Sequence, residues 1–173
     1  STEKLTNGTS TPAPDIPTAL WHFDDDTAGN RVEDFFGGNN GTATGTFQWD
    51  EGVFGTTAMR FDENTSTIHA GSAGSIDDLF ANSSTIIAWV KPIRSTVTLS
   101  ILMDKGAQHN DAGWMIRINP GNATHANLTF VHAFSANDGR WMTNHSLLID
   151  QWNHIAITYN RSTSGQNATL YVN

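Results

Sequence analysis

The stretch Trp152–Tyr159, WNHIAITY, decides the fold, because its side chains alternate strongly between two sets. Successive side chains of a β-strand point to opposite faces, so Ile155 and Ile157 share one face of the predicted strand. A second stretch, Thr85–Lys91 (TIIAWVK), is dense in β-branched residues and stops at Pro92, which has no backbone N–H for a sheet ladder. Both patterns predict β-strands.

Further short apolar runs follow one another at intervals of roughly 8–15 residues, separated by Gly, Asn, Asp and Ser clusters. This spacing predicts an all-β, antiparallel two-sheet sandwich. Asp138-Gly139 predicts a tight hairpin turn, and Ile76–Ala81, with Ser75 as N-cap, predicts one short helix. The remaining predicted strands are Ala19–Phe23, Ala58–Phe61, Thr98–Met103, Gly113–Ile118, Ala126–Ala136, Arg140–Leu148 and Ala168–Val172.

The chain divides into a tether and one domain. Residues 1–18, STEKLTNGTSTPAPDIPT, contain three of the five prolines and few large apolar residues, which predicts an extended Thr/Ser/Pro-rich linker. Residues 19–173 are predicted to form the folded domain. Because the last predicted strand runs to Asn173 without a turn, we expect an incomplete C-terminal edge, in a fragment or in a sheet that a neighbour completes.

Composition excludes several classes of protein. Nine basic residues against seventeen acidic ones leave a net charge of -8, which disfavours nucleic acid and anionic lipid as partners. Cysteine is absent, so disulfides, thiolate metal sites and a Cys nucleophile are excluded. No apolar run approaches the ~20 residues that a membrane-spanning helix needs, so no membrane insertion is predicted within the chain.

Eight blocks, in this order and spacing, carry a resemblance to a known family. The chain resembles the laminin G-like (LamG-type) jelly-roll domains of the concanavalin A-like lectin/glucanase superfamily. The resemblance implies a sandwich that serves as a binding module. The blocks are Ala19–Asp24, Asn39–Thr42, Gly52–Gly55, Ala58–Asp62, Thr85–Pro92, Asp104–Gly106, Trp152–Tyr159 and Leu170–Asn173.

Catalysis is not predicted. The glycoside hydrolases of this fold place two Glu and one Asp on alternate residues of one strand, to supply the paired carboxylates of glycoside hydrolysis. This chain has four Glu, none of them in such an alternation. It also lacks a serine nucleophile-elbow motif, and its seven His have no metal-ligand spacing.

Acidic loop residues indicate a structural calcium site. Residues Asp24–Asp26 follow a predicted strand, and the next loop offers further oxygen ligands of the kind that Ca²⁺ prefers. The alternative is that these side chains are solvated and form Asx turns. The resemblance implies a site near Asp24, Asp34, Asn39 and Asp62.

Six tryptophans are divided between core and surface. Trp21, Trp89 and Trp152 lie inside strand patterns and are predicted to be core residues, whereas Trp49, Trp114 and Trp141 lie nearer to loops or strand ends. An exposed indole can stack on the apolar face of a sugar ring. The predicted ligand patch therefore comprises Trp141, Arg140, Asn137, His109 and Trp114.

N-glycosylation sequons are in excess. Nine of sixteen Asn start an Asn-x-Ser/Thr triplet, whereas chance predicts about three. The excess predicts a glycosylated surface whose acceptors face water, although a Thr- and Asn-rich composition also raises the number by itself. The acceptors are Asn7, Asn40, Asn64, Asn82, Asn122, Asn127, Asn144, Asn160 and Asn167.

These observations predict a non-catalytic module for binding, adhesion or assembly, in a glycosylated extracellular, cell-surface or filament protein. The expected partners are glycans, cell-surface or matrix proteins, or neighbouring subunits that pair through a strand. The alternative is a carbohydrate-binding module attached to a polysaccharide-degrading enzyme.

Overall fold

The structure is a computed structural model that describes residues 16–24, 29–54, 57–61, 65–71, 74–77, 79–80, 83–93, 99–106, 113–133, 138–160 and 168–173. The predicted tether, apart from residues 16–18, lies outside this part of the chain. The described residues form β1 (Arg31–Val32), β2 (Gly41–Thr44), β3 (Phe47–Asp50), β4 (Ala58–Phe61), β5 (Thr67–His69), α1 (Gly74–Asp77), β6 (Ser84–Val90), β7 (Ser100–Lys105), β8 (Trp114–Pro120), β9 (His125–His132), β10 (Gly139–Met142), β11 (Leu147–Leu148), β12 (Asn153–Tyr159) and β13 (Ala168–Val172).

Two antiparallel sheets form the body of the protein. The first has the strand order β13-β12-β6, and its register places Ala156 between Ile87 and Tyr171. The second has the order β10-β9-β8-β7, with β11 also paired to β9. Two smaller sheets, β1-β2-β5 and β3-β4, come from the first part of the chain. The predicted all-β antiparallel sandwich is confirmed.

The core lies where the inner faces of the two larger sheets meet. Ile155, Ile157 and Tyr159 from β12 are buried together with Leu128 and Phe130 from β9. Phe80, from the segment after α1, fills the aromatic centre of this cluster. Its ring contacts those of Trp114, Phe130, His132 and Tyr159 at centroid distances of 4.9–6.1 Å.

Three local predictions need correction. Ala19–Phe23 forms no strand beyond a single bridge at Trp21, and the extended backbone ends at Phe23, which has a positive φ of 60°. Gly139 pairs with His132 inside the sheet, so Asp138-Gly139 is not the tight two-residue turn of the β9-β10 hairpin. The helix α1 begins before Ser75, whose hydroxyl donates to Asn39 instead of capping the helix.

The division of tryptophans between core and surface is also partly wrong. Trp114 points into the core and is only 8% exposed, although it was expected near a loop. Trp89 is 41% exposed, although it lies within a strand. The strand β6 is apolar on both faces, so its alternation does not reveal which face the core covers.

Candidate functional site

A buried carboxylate joins the amino-terminal segment to the loop after β1. Asp34 is 5% exposed and lies opposite Trp21 in an isolated antiparallel bridge. Its Oδ1 accepts hydrogen bonds from the backbone N–H groups of Leu20, at 2.8 Å, and Phe36, at 3.2 Å. Its Oδ2 accepts from the backbone N–H and the Nδ2 of Asn39, at 3.0 and 2.8 Å. All four donors are N–H groups, so the carboxylate holds three chain positions together.

These hydrogen bonds determine the ionisation of the group. Burial alone raises the pKa of Asp34, but hydrogen bonds from Leu20, Asn39 and Gly37 outweigh burial and hold the pKa well below its usual range. Gly37 is required for the close wrapping of the loop. A Cβ at this position would lie 2.5 Å from Asp34 Oδ2 and 2.6 Å from the carbonyl oxygen of Thr18.

Asn39 extends the same network towards α1. It is 3% exposed, and its Oδ1 accepts a hydrogen bond from the hydroxyl of Ser75 at 2.8 Å. Its backbone carbonyl accepts one from the indole Nε1 of Trp21 at 2.9 Å. Turning the Asn39 amide round would bring its Oδ1 to 2.8 Å from Asp34 Oδ2. Two acceptor oxygens cannot form a hydrogen bond with each other, so the amide must present its Nδ2 to Asp34.

The predicted calcium ligands do not fit a calcium ion in the described part of the chain. Asp34 and Asn39 are adjacent, but their oxygens face N–H and O–H donors rather than a common point. Asp24 lies near His22, with 3.9 Å between Oδ1 and Nδ1, and Asp62 is outside the described residues. Ca²⁺ takes six to eight oxygen ligands. No group of three or more His, Asp or Glu among the described residues is arranged to hold a metal ion, and the calcium site stays a prediction.

The predicted ligand patch is divided between two faces of a sheet. Trp141 and Arg140 are neighbours in β10, so their side chains point to opposite faces. Trp141 stacks on buried Phe130 at 5.6 Å on the core side, while Arg140 is exposed on the outer side. Trp114 is buried in the core, and Asn137 and His109 lie outside the described residues.

An exposed aromatic face, absent from the sequence predictions, covers the first sheet. Ile87 and Trp89 point outwards from β6, at 62% and 41% exposure, and Tyr171 points outwards from β13, at 53%. Trp89 contacts the rings of Phe54 at 5.3 Å and His154 at 5.2 Å. We call these five side chains the aromatic face. The sequence signal for this face is the pair Ile87 and Trp89, because two large apolar residues at positions i and i+2 of a strand lie on the same side of the sheet.

The predicted glycosylation acceptors differ in accessibility. Asn40, Asn122, Asn144 and Asn160 are exposed. Asn127 is half-buried, its Nδ2 donates to the carbonyl oxygen of Pro120 at 3.2 Å, and Thr129 of its sequon is fully buried. Because Asn127 is half-buried and a glycan needs open space at Nδ2, this acceptor fits the expectation of a water-facing site less well. The acceptors Asn7, Asn64, Asn82 and Asn167 lie outside the described residues.

Comparison with known proteins gives one family match. Residues 62–173 match the family model Laminin_G_3, described as the concanavalin A-like lectin/glucanases superfamily. Neither the curated proteins nor the solved structures gave a significant match. The helical structure of the described residues lacks the length and apolar character needed to cross a membrane.

Proposed function

Because the chain belongs to the concanavalin A-like lectin/glucanases superfamily, we propose that it is a non-catalytic binding module for adhesion or assembly at an extracellular or cell surface. Laminin G-like domains are generally non-catalytic binding modules and are commonly extracellular. The excess of sequons supports the same location, and four of the acceptors are exposed among the described residues.

The observation that carries the proposal is the aromatic face. Trp and Tyr are enriched at the centres of protein interfaces, where a few such residues supply most of the binding energy. The side chains of the aromatic face stand mainly on a hydrogen-bonded sheet, so binding orders little new structure. Large exposed apolar side chains in contact with one another mark an interaction surface.

We assign a second copy of this module as the occupant of the aromatic face. Within the described residues, β6 pairs with β12 on one side and with no strand on the other. An edge strand offers backbone N–H and C=O groups to another chain, and Ile87 and Trp89 stand on this strand. A second copy that pairs with the free edge of β6 would therefore also contact the apolar side chains of Ile87 and Trp89.

Sedimentation velocity over a range of protein concentrations tests the assembly. We expect the average mass to rise with protein concentration. Trp89→Ser should move the transition from monomer to self-associated protein to a concentration about tenfold higher or more. Met142→Ser is the matched control, because Met142 is an exposed apolar residue on the other sheet. A wild-type chain that is monomeric throughout contradicts the assembly, and an equal effect of Met142→Ser contradicts the assignment of the face.

Carbohydrate binding is the second candidate function. The side chains of Arg117 and Arg140 on the outer face of the sheet β10-β9-β8-β7 favour it. A broad glycan array tests it with the wild-type chain and Arg140→Gln, because Arg140 is exposed on that outer face. A flat array for the wild-type chain removes this candidate.

The calcium prediction has its own test. The oxygens of Asp34 and Asn39 already accept hydrogen bonds, so the described residues lead us to expect the same melting midpoint with and without a chelator. A midpoint that falls on chelation would support the calcium site implied by the resemblance.

A further inference from the structure

One of the predicted glycosylation acceptors, Asn160, stands at the end of the strand next to the free edge of β6. In the first sheet Tyr159, the last residue of β12, lies opposite Ser84, the first residue of β6. Ser83 and Asn160 stand one step beyond this pair. The hydroxyl of Ser83 donates to Oδ1 of Asn160 at 3.1 Å, so the acceptor amide is bonded to the residue that precedes β6.

Asn160 also continues the outer face of this sheet. Successive side chains of a strand alternate between faces, so Asn160 follows the row of His154, and Ser83 follows the row of Ile87 and Trp89. The exposure of the side chains agrees with this alternation, because Ser83, Ile87, Trp89 and Asn160 are exposed whereas the alternate residues of β6 are half-buried or buried. The acceptor and the aromatic face therefore share one side of the sheet.

The separation between the acceptor and the aromatic face follows from the strand geometry. A strand rises about 3.3 Å per residue, so Asn160 stands about 13 Å along β12 from Ala156, which lies opposite Ile87, and about 20 Å from His154. An N-linked glycan is bulky and strongly hydrated. A glycan on Asn160 therefore occupies space in front of the face on which Ile87 and Trp89 are exposed.

The other acceptors in the described part of the chain belong to other surfaces. Asn40 directly precedes β2, Asn122 follows β8, Asn127 lies on β9 and Asn144 follows β10. The last three belong to the second sheet, and β2 belongs to the sheet β1-β2-β5. Among these described acceptors, Asn160 alone lies beside the surface to which self-association is assigned.

We propose that N-glycosylation of Asn160 controls self-association through the aromatic face. The chain that carries a glycan there stays monomeric at concentrations at which the chain with an unmodified Asn160 associates. The proposal deepens the self-association proposed above and rests on it. It adds a modification site and a regulation of the contact.

The glycan acts on both parts of the proposed contact. Strand pairing needs a second chain alongside the whole of β6, and the glycan is attached beside Ser83 at the start of that strand. Apolar contact needs water to leave the side chains of Ile87 and Trp89, whereas a hydrated glycan keeps the surface in water. The two effects have the same sign, so glycosylation weakens the association.

Sedimentation velocity of two preparations of the 173-residue chain tests the proposal. One preparation is secreted, with an added signal peptide, from eukaryotic cells that glycosylate sequons, and the other comes from the bacterial cytoplasm and carries no glycan. Mass spectrometry of glycopeptides measures the occupancy of Asn160. We expect Asn160 to be occupied in the secreted chain, and its transition to self-associated protein to need about tenfold higher concentration or more.

Asn160→Gln removes the acceptor and keeps a side-chain amide. In the secreted preparation it should return the transition towards that of the unglycosylated chain, although the other acceptors are unchanged. Asn144→Gln is the matched control, because Asn144 is an exposed acceptor on the second sheet whose amide bonds the neighbouring His145. It should leave the transition of the secreted chain where it is. In the bacterial preparation both variants should associate like the wild-type chain, which separates loss of the glycan from the change of side chain.

Several results would overturn the control by Asn160. These are an unoccupied Asn160 in the secreted chain, equal transitions of the two wild-type preparations, an unchanged transition in secreted Asn160→Gln, or an equal effect of Asn144→Gln. The bacterial preparation distinguishes this failure from failure of the proposed function. If the unglycosylated chain associates and the glycosylated chain associates equally well, the glycan control alone fails, whereas an unglycosylated chain that stays monomeric contradicts both.

Discussion

Replacing Asp34 by asparagine tests whether its buried carboxylate holds the amino-terminal segment in place. The side chain keeps its size, but one acceptor oxygen becomes an NH₂ group. Whichever way the new amide turns, its nitrogen meets two N–H donors, either those of Leu20 and Phe36 or the two of Asn39. Two of the four hydrogen bonds are therefore lost, and the donors left without a partner are buried for Asn39 or partly buried for Leu20 and Phe36.

The size of the effect follows from this count. An unsatisfied buried donor costs ~1–3 kcal/mol, so two of them lower the free energy of unfolding by about 2–6 kcal/mol. For a protein of this length each 1 kcal/mol lowers the melting temperature by about 2–4 °C, which gives a fall on the order of 10 °C. Asp50→Asn is the matched control, because Asp50 makes an exposed ion pair with Arg60 that contributes about 1 kcal/mol or less.

The pH dependence of the difference gives a second check. Burial raises the pKa of Asp34, but its hydrogen bonds outweigh burial, so the folded-state pKa lies below the unfolded value of about 3.9. The stabilisation by the carboxylate is therefore complete above that unfolded value and is lost as the pH falls through the folded-state pKa. Thermal melts followed by circular dichroism should show a constant difference down to about pH 5 and a smaller one in stronger acid.

A variant as stable as the wild-type chain at neutral pH would refute this reasoning. So would a gap that widens in acid, because it would mean that the folded protein binds the proton more tightly than the unfolded chain does. If Asp34→Asn lowered the melting temperature only as much as Asp50→Asn, the burial of Asp34 would add nothing to its contribution to stability.

Three further changes probe the same network and the core. Gly37→Ala should lower the melting temperature because its Cβ would clash with Asp34. The double variant Gly37→Ala/Asp34→Asn should lose less stability than the two single variants together. Fully additive losses would contradict a contact between the two side chains. Phe80→Ala should cost about 3–5 kcal/mol in urea unfolding, and a cost below 1 kcal/mol would exclude its central position in the core. Asn153→Ala should cost about 1–3 kcal/mol, because Asn153 bonds the backbone before β12, and an unchanged urea midpoint would refute this role.

The sequence predicts strands well where one face of a strand differs from the other. In β12 the predicted alternation is confirmed, with Ile155 and Ile157 buried and His154 on the half-buried outer side. In β6 both faces are apolar, so the same rule cannot tell which side the core covers, and Trp89 is misplaced. The surface that carries the proposed function is therefore the part that periodicity leaves undetermined.

The chemistry of the Asp34 loop shows a second limit of prediction from sequence. The resemblance implies that Asp34 and Asn39 lie near one another, and the structure joins their side chains by a hydrogen bond in the loop that meets the amino-terminal segment. The resemblance cannot tell a metal site from a hydrogen-bonded network, since the distinction depends on backbone N–H groups such as that of Leu20. Those donors reach the carboxylate only through the folded path of the chain.

The outer faces of the two larger sheets have different chemistry, and this difference gives a further test of the proposed self-association. In that proposal the aromatic face around Trp89 contributes by burying apolar area, a contribution that salt does not screen. The face around Arg117 and Arg140 is charged, and added salt weakens contacts between charged groups. Raising the ionic strength should therefore leave self-association through the aromatic face in place. Self-association that is lost as the ionic strength rises would mean that it depends on charged groups instead.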